Sequence, residues 1–198
     1  MMDDRQEHNI TNSASALYRK RRTLSRILAI QFVFQADLRN AWVMEAESLE
    51  YFKSLAQNPF EADEKATFSK EDFKSAWKYA RVLIQGVLAN RAQLDSLIIG
   101  VAQNWSLQRI SSLDRAILRV ATFEITHHPN NVTPAIAINE AVDIAKEYGL
   151  GGSSRFVNGI LDKIRVVFQN GQTEAEQKEE DGKSEVPEPE PINGGDEK

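Results

Sequence analysis

Residues 23–38 read TLSRILAIQFVFQADL, and the placing of their apolar side chains sets the fold class. Leu24, Ile27, Leu28, Ile30, Phe32, Val33 and Phe34 fall on more than one face of a helix. A surface helix carries one apolar stripe, whereas a helix apolar on several faces is central to a core. This segment is therefore expected to be a buried helix. From Leu24 onward the apolar spacing stays close to the helical period, with no sustained two-residue alternation between turns, so the chain reads as all-α.

The remaining helices follow from their end signals. A second is expected from about Met44 to Gln57, stopped by Asn58-Pro59, with a loop up to Thr67. Ser69-Lys70-Glu71-Asp72 has the form of a capping box and opens a third, which continues through Trp77, Ala80, Leu83, Ile84 and Val87 and ends softly near Asn90. A fourth holds Leu94, Leu97, Ile98 and Val101. Ser111 or Ser112 caps a fifth, with Asp114 in its first turn where negative charge suits the helix dipole. His127-His128-Pro129 ends it, and Thr133-Pro134 opens a sixth with proline at the first helical position. Gly149 is expected to close that helix in a left-handed cap. The last runs from about Ser153 to Phe168, with Phe156, Val157, Ile160, Leu161 and Ile164 on one face. The reading gives seven helices and no internal repeat.

Composition divides the 198 residues into a core and two polar ends. Residues 1–17 have few apolar positions and residues 171–198 almost none, so both are expected to be disordered tails around a folded domain over 18–170. The formal charge of −5 belongs to these ends. The C-terminal one carries ten acidic and three basic residues, a local −7, and the N-terminal one a local −2, which leaves the core at +4. There is no cysteine, which excludes disulfides, thiolate nucleophiles and thiolate zinc sites. No run reaches the length of a membrane span and no signal peptide is visible, so the expectation is a cytoplasmic protein without a membrane partner.

The sharpest local feature is Tyr18-Arg19-Lys20-Arg21-Arg22-Thr23-Leu24-Ser25-Arg26, five cations in nine residues. Guanidinium groups match phosphate geometry, and a basic cluster releases counterions from a nucleic acid. Cations at a helix start oppose the dipole, so a purely structural design would avoid them; the alternative is a solvated terminus. The glycine-rich turn Tyr148-Gly149-Leu150-Gly151-Gly152-Ser153-Ser154-Arg155-Phe156 lacks the lysine and preceding strand of a phosphate loop. It still offers backbone N–H groups beside Arg155 to a phosphate, or else simply connects two helices. Glu140, Asp143 and Glu147 read as a solvated face, and His127 with His128 as partners of a helix C-terminus rather than a metal site. No nucleophile, base and orienting group come together, so the chain does not read as an enzyme and no catalytic residue, cofactor or metal is expected.

Taken together, three segments resemble the NusB family of bacterial transcription antitermination factors. The first runs from Trp105-Ser106-Leu107-Gln108-Arg109-Ile110 through residues 113–125, LDRAILRVATFEI. The second is residues 137–149, AINEAVDIAKEYG, and the third residues 155–162, RFVNGILD. With the basic entry to the first helix, the likeness covers about residues 20–167. It implies two three-helix bundles packed across each other with a seventh helix attached. It also implies a factor that binds the boxA element of ribosomal RNA leaders. The partner would be the small-subunit ribosomal protein that doubles as NusE, and the pair would join RNA polymerase and other Nus factors.

Carried onto this chain, the resemblance implies an RNA surface at Lys20, Arg21, Arg22 and Arg26, with Ser153, Arg155 and Phe156 beside them. Phe156 alternatively fits a core position. The partner surface is implied at Arg109, Asp114, Arg115 and Arg119; Arg119 alternatively reads as a core-facing arginine paired with Glu140 or Asp143. The chain departs from the family in a longer stretch before the cations, in Gly151-Gly152 where relatives often carry an acid, and in the acidic tail, which could compete with RNA for the basic patch. Two rivals stand beside this reading. A similar helical domain opens some ribosomal RNA cytosine methyltransferases, but these residues hold no Rossmann-like segment and no catalytic cysteine. The other is a protein-only interaction module or homodimer.

Overall fold

A computed structural model describes the backbone of residues 4–43, 45–62, 69–102 and 105–183, and the side chains of 15–43, 45–56, 69–102 and 105–171. Every regular element among them is helical: α1 (Asp4–Arg39), α2 (Ala46–Ala62), α3 (Lys70–Val101), α4 (Ser112–His127), α5 (Pro134–Tyr148) and α6 (Ser153–Lys183), with short 3-10 turns at Leu107–Arg109 and Pro129–Asn131. The chain divides into two units, Met1–Arg165 and Val166–Lys198; the second holds the remainder of α6 and the chain end.

The all-helical expectation holds, with six helices among the described residues in place of seven. The soft end near Asn90 is no break: the Asn90 side-chain Nδ2 donates to the Gly86 carbonyl 2.9 Å away, within its own helix, and α3 runs on through Leu94 and Ile98. The helix α1 begins at Asp4, well before the apolar periodicity does; residues 4–22 contain neither glycine nor proline to stop it. At Asn58-Pro59 the expected stop does not occur and α2 continues to Ala62, since one proline removes a single backbone donor. Past Phe168, α6 continues to Lys183, and residues 184–198 lie outside the described residues, as does Met44, the expected start of the second helix.

The caps read from sequence are in place. Ser69 accepts from the Asp72 amide while the Asp72 carboxylate accepts from the Ser69 amide, a complete capping box. Ser111 accepts from the Asp114 amide, Thr133 accepts from Ile136 ahead of Pro134, and His128 ends α4 in the left-handed region. The Gly149 expectation is corrected: its backbone is extended, and the left-handed residue of this turn is Gly152 at φ 96°. Gly149 is needed for closeness instead, because a Cβ there would stand 2.4 Å from the Ala145 carbonyl oxygen.

Within the first unit α1, α3 and α4 pack mutually, α2 lies on α3, and α5 lies on α4. One continuous core includes Leu28, Val33, Leu83, Ile117, Ile144 and Leu161, and full burial of each such side chain contributes roughly 1.5–3 kcal/mol. Phe123 of α4 seats its ring over Gly86 of α3, where a Cβ would meet the ring at 2.0 Å. Direction follows from polar contacts. Arg26 meets Glu124 whereas Asp37 meets Arg115 and Arg119, so α1 and α4 run antiparallel.

Candidate nucleic-acid interface

The basic entry to the first periodic helix lies on one continuous helix, and the structure sorts its cations by depth. Arg19 and Lys20 are exposed. Arg21 is half-buried and donates from Nε to Asp72 Oδ1 at 2.6 Å, tying α1 to the start of α3. Its guanidinium and the Ser69 amide outweigh the burial that would raise the Asp72 carboxyl, and hold it below the usual aspartate range. Arg22 lies with its guanidinium carbon 3.2 Å from the centre of the Tyr79 ring.

Arg26, implied as an RNA contact, is 2% exposed. Its Nε and Nη2 each donate to a Glu124 carboxylate oxygen at 2.9 Å, and Nη1 donates to Glu140 Oε2 at 3.2 Å. With each guanidinium nitrogen bonded to a carboxylate, Arg26 is a structural tie rather than part of the exposed surface. Burial works against its charge, but the two carboxylates prevail and hold it protonated. Tyr79 completes the group by donating to Glu124 Oε1 at 2.6 Å, and burial and that carboxylate push its hydroxyl well above the ordinary tyrosine value. Thr23 donates to Glu140 at 2.7 Å, so Glu140 is no solvated acid.

The second implied RNA segment is not beside the first. Ser153 is buried and donates to Asp114 Oδ2 at 3.2 Å, at the start of α4, whereas Arg26 of α1 meets α4 at Glu124. Ten residues of helix separate those two points, about 15 Å at 1.5 Å per residue. Arg155 is exposed. Phe156 is partly buried with its ring centre 5.5 Å from that of Trp105, so the core alternative for it is half right. This end of α4 instead joins Ser153, Arg155 and Phe156 to the implied partner residues.

Of those, Arg109 is exposed and lies over Trp105, itself 43% exposed. Asp114 is buried. Arg115 donates to Asp37, to Ser112 and to the carbonyls of Leu107 and Ile110 at 3.1 and 2.7 Å, which fastens the 3-10 turn to α4. Arg119 is 2% exposed and core-facing, as the alternative reading had it, but its carboxylates are Asp95 and Asp37 rather than Glu140 or Asp143. Burial would raise the Asp37 carboxyl, and the two arginines reverse this and lower it. The Trp42 ring is in contact with both Arg91 and Arg119, their guanidinium carbons 4.6 and 4.8 Å from its centre.

Sequence reasoning missed Asp37, Asp95 and Glu124. A visible signal existed for Glu124, the lone acid in the otherwise uncharged run 120–126, VATFEIT. Among the described residues no three histidine or carboxylate groups are placed to hold a metal, and no helix is long and apolar enough to cross a membrane.

A sequence model described as the NusB family matches residues 23–165. The transcription antitermination protein NusB of Desulfotalea psychrophila is 38% identical over 151 residues, 75% of this chain and 97% of that protein. Among solved structures, T. maritima NusB superposes with a TM-score of 0.54 at 32% identity, covering 73% of this chain and 89% of that one. A structure of antitermination factors NusB and NusE in complex with dsRNA shares the fold, with a TM-score of 0.57 at 22% identity over 75% of this chain and 98% of that one.

Proposed function

The chain belongs to the NusB family, and from that premise we propose that it is a cytoplasmic transcription antitermination factor acting by binding rather than catalysis. It binds boxA-type RNA of ribosomal RNA leaders together with the small-subunit ribosomal protein NusE, and the pair joins RNA polymerase and other Nus factors so that ribosomal RNA genes are transcribed in full. The observation that carries this reading is the sorting of cations along α1: Arg26 is neutralised inside, while Arg19 and Lys20 stand in solvent with Arg21 and Arg22 at their edge. Exposed cations on a rigid helix are what phosphate contacts need, and such contacts position a strand while selectivity comes from bases and partner.

In this reading Arg19 and Lys20 face phosphate with Arg21 and Arg22 beside them on the RNA surface, Arg155 adds a cation at the far end of α4, and Arg26 and Ser153 hold the helices that present them. Arg109 over Trp105 is the projecting part of the partner surface, with Asp114, Arg115 and Arg119 supporting it from behind. Fluorescence anisotropy with a boxA-containing RNA and a scrambled RNA, each with and without NusE, tests it. A preference for boxA that NusE strengthens is expected, and no RNA binding in any combination overturns it.

A further inference from the structure

A cleft of about 300 Å³ opens between α1, the turn after α4, and α5. Arg26 and Glu140 line it, joined by a hydrogen bond of 3.2 Å, and Arg26 is anchored from behind by Glu124. Two groups on its wall have hydrogen-bonding capacity left over. Arg22, which lines the cleft, makes no hydrogen bond to the described residues, and its guanidinium carbon lies 3.2 Å from the centre of the Tyr79 ring. Glu140 accepts from Thr23 and Arg26 through Oε2 only, which leaves Oε1 for a ligand. Asn131, held at φ 58°, and Asn139 add amides at the rim, and Tyr18, 60% exposed, stands at the mouth. Left-handed non-glycine residues gather at functional sites more often than elsewhere.

We propose that this cleft takes one unstacked guanine of the bound RNA, its O6 accepting from Arg22 and its N1–H and 2-amino group both donating to the one free oxygen of Glu140, Oε1. A donor beside a carboxylate matches guanine's Watson–Crick edge, which runs acceptor, donor, donor. Adenine and cytosine each present a donor where guanine has O6, and uracil presents acceptors on both sides of one N–H. Single-stranded RNA is read in this way, by a base splayed out, stacked on an aromatic ring and hydrogen-bonded along its edge. Tyr18 supplies the ring, the apolar wall of Val132 and Ile136 supplies the lining, and the exposed Arg19 and Lys20 hold the adjoining phosphates. The inference rests on the RNA-binding reading and adds to it a base preference with a place.

The test uses the full chain and four short uridine strands, unmodified or with one central guanosine, inosine or adenosine. The guanosine strand is expected to bind about tenfold tighter than the uridine strand, as a good bidentate base contact provides. Adenosine should give no gain, and inosine, which lacks the 2-amino group, an intermediate one. Ile136→Trp, at an exposed position on the wall, should fill the cleft and abolish the guanosine gain while leaving uridine-strand binding unchanged. Glu140→Gln should likewise lose the guanosine gain, with its melting temperature recorded because Glu140 also ties Arg26 and Thr23. Equal binding of all four strands overturns the cleft assignment and leaves the RNA-binding reading standing. Binding of no strand overturns both. A guanosine gain that survives Ile136→Trp overturns the assignment, as does a variant that loses NusE binding and keeps the gain, since a protein segment would then occupy the cleft.

Discussion

Arg26 of α1 and Glu124 of α4 form a two-bonded ion pair in the core, with Nε and Nη2 each 2.9 Å from one carboxylate oxygen and both side chains at most 3% exposed. An arginine in a basic cluster is thereby committed to the fold. Removing one partner of a buried pair leaves the other charge uncompensated, at a cost of about 3–5 kcal/mol. Arg26→Ala should lose stability of that order in urea denaturation. Replacing exposed Lys20 by alanine should leave stability within about 0.5 kcal/mol.

The Asp37 carboxylate should make the fold acid-sensitive. Its pKa is depressed in the folded state by Arg115 and Arg119, so its contribution is present in full above the unfolded value of about 3.9. That contribution is lost as pH falls through the lower folded value. Asp72, depressed likewise, acts in the same direction. Denaturation free energy measured from neutral pH down to about 2 should stay level with respect to these groups until about pH 4 and then fall. Asp37→Asn should be less stable at neutral pH and show a shallower acid decline.

Gly86 allows α4 to approach α3. A Cβ there meets the Phe123 ring, which is buried and stacked on His127 at 4.6 Å and so has little room to retreat. Overpacking of this kind costs about 1–3 kcal/mol, against roughly 1 kcal/mol that alanine gains over glycine in a helix. Gly86→Ala should therefore be net destabilising or neutral in urea denaturation, and Gly86→Ala with Phe123→Leu should be more stable than Gly86→Ala alone.

Arg115 fastens the turn that carries Arg109 and Trp105. Arg115→Ala should raise hydrogen exchange over residues 105–111 and weaken NusE binding indirectly. Arg109→Ala should weaken NusE binding with no change in exchange. The opposite pattern, with Arg115→Ala silent in exchange, would separate the turn from Arg115.

The helix ends were legible because their chemistry is local. Ser69 with Asp72, Ser111 with Asp114 and Thr133 with Pro134 each declare a start within four residues, and each is where the structure has one. Depth was not legible for the cations. Arg26 differs from Lys20 in its burial, and that depends on Glu124 and Glu140, 98 and 114 residues further along. Arg119 was readable as a core-facing arginine only as an alternative and with the wrong carboxylates, because those it meets lie on α1 and α3, at Asp37 and Asp95, where no local pattern announces them. Asn90 misled for the reverse reason: a residue that favours turns bonded its own helix.

The proposed division of α1 into structural and RNA-facing cations is tested most directly by the salt dependence of boxA RNA binding, compared between the unmodified chain and Arg19→Ala/Lys20→Ala. Two lost phosphate contacts to a single strand should reduce the slope of log K against log salt by about 1.4, at roughly 0.7 per contact. An unchanged slope in that variant would contradict the account, because the exposed entry of α1 would then carry no phosphate.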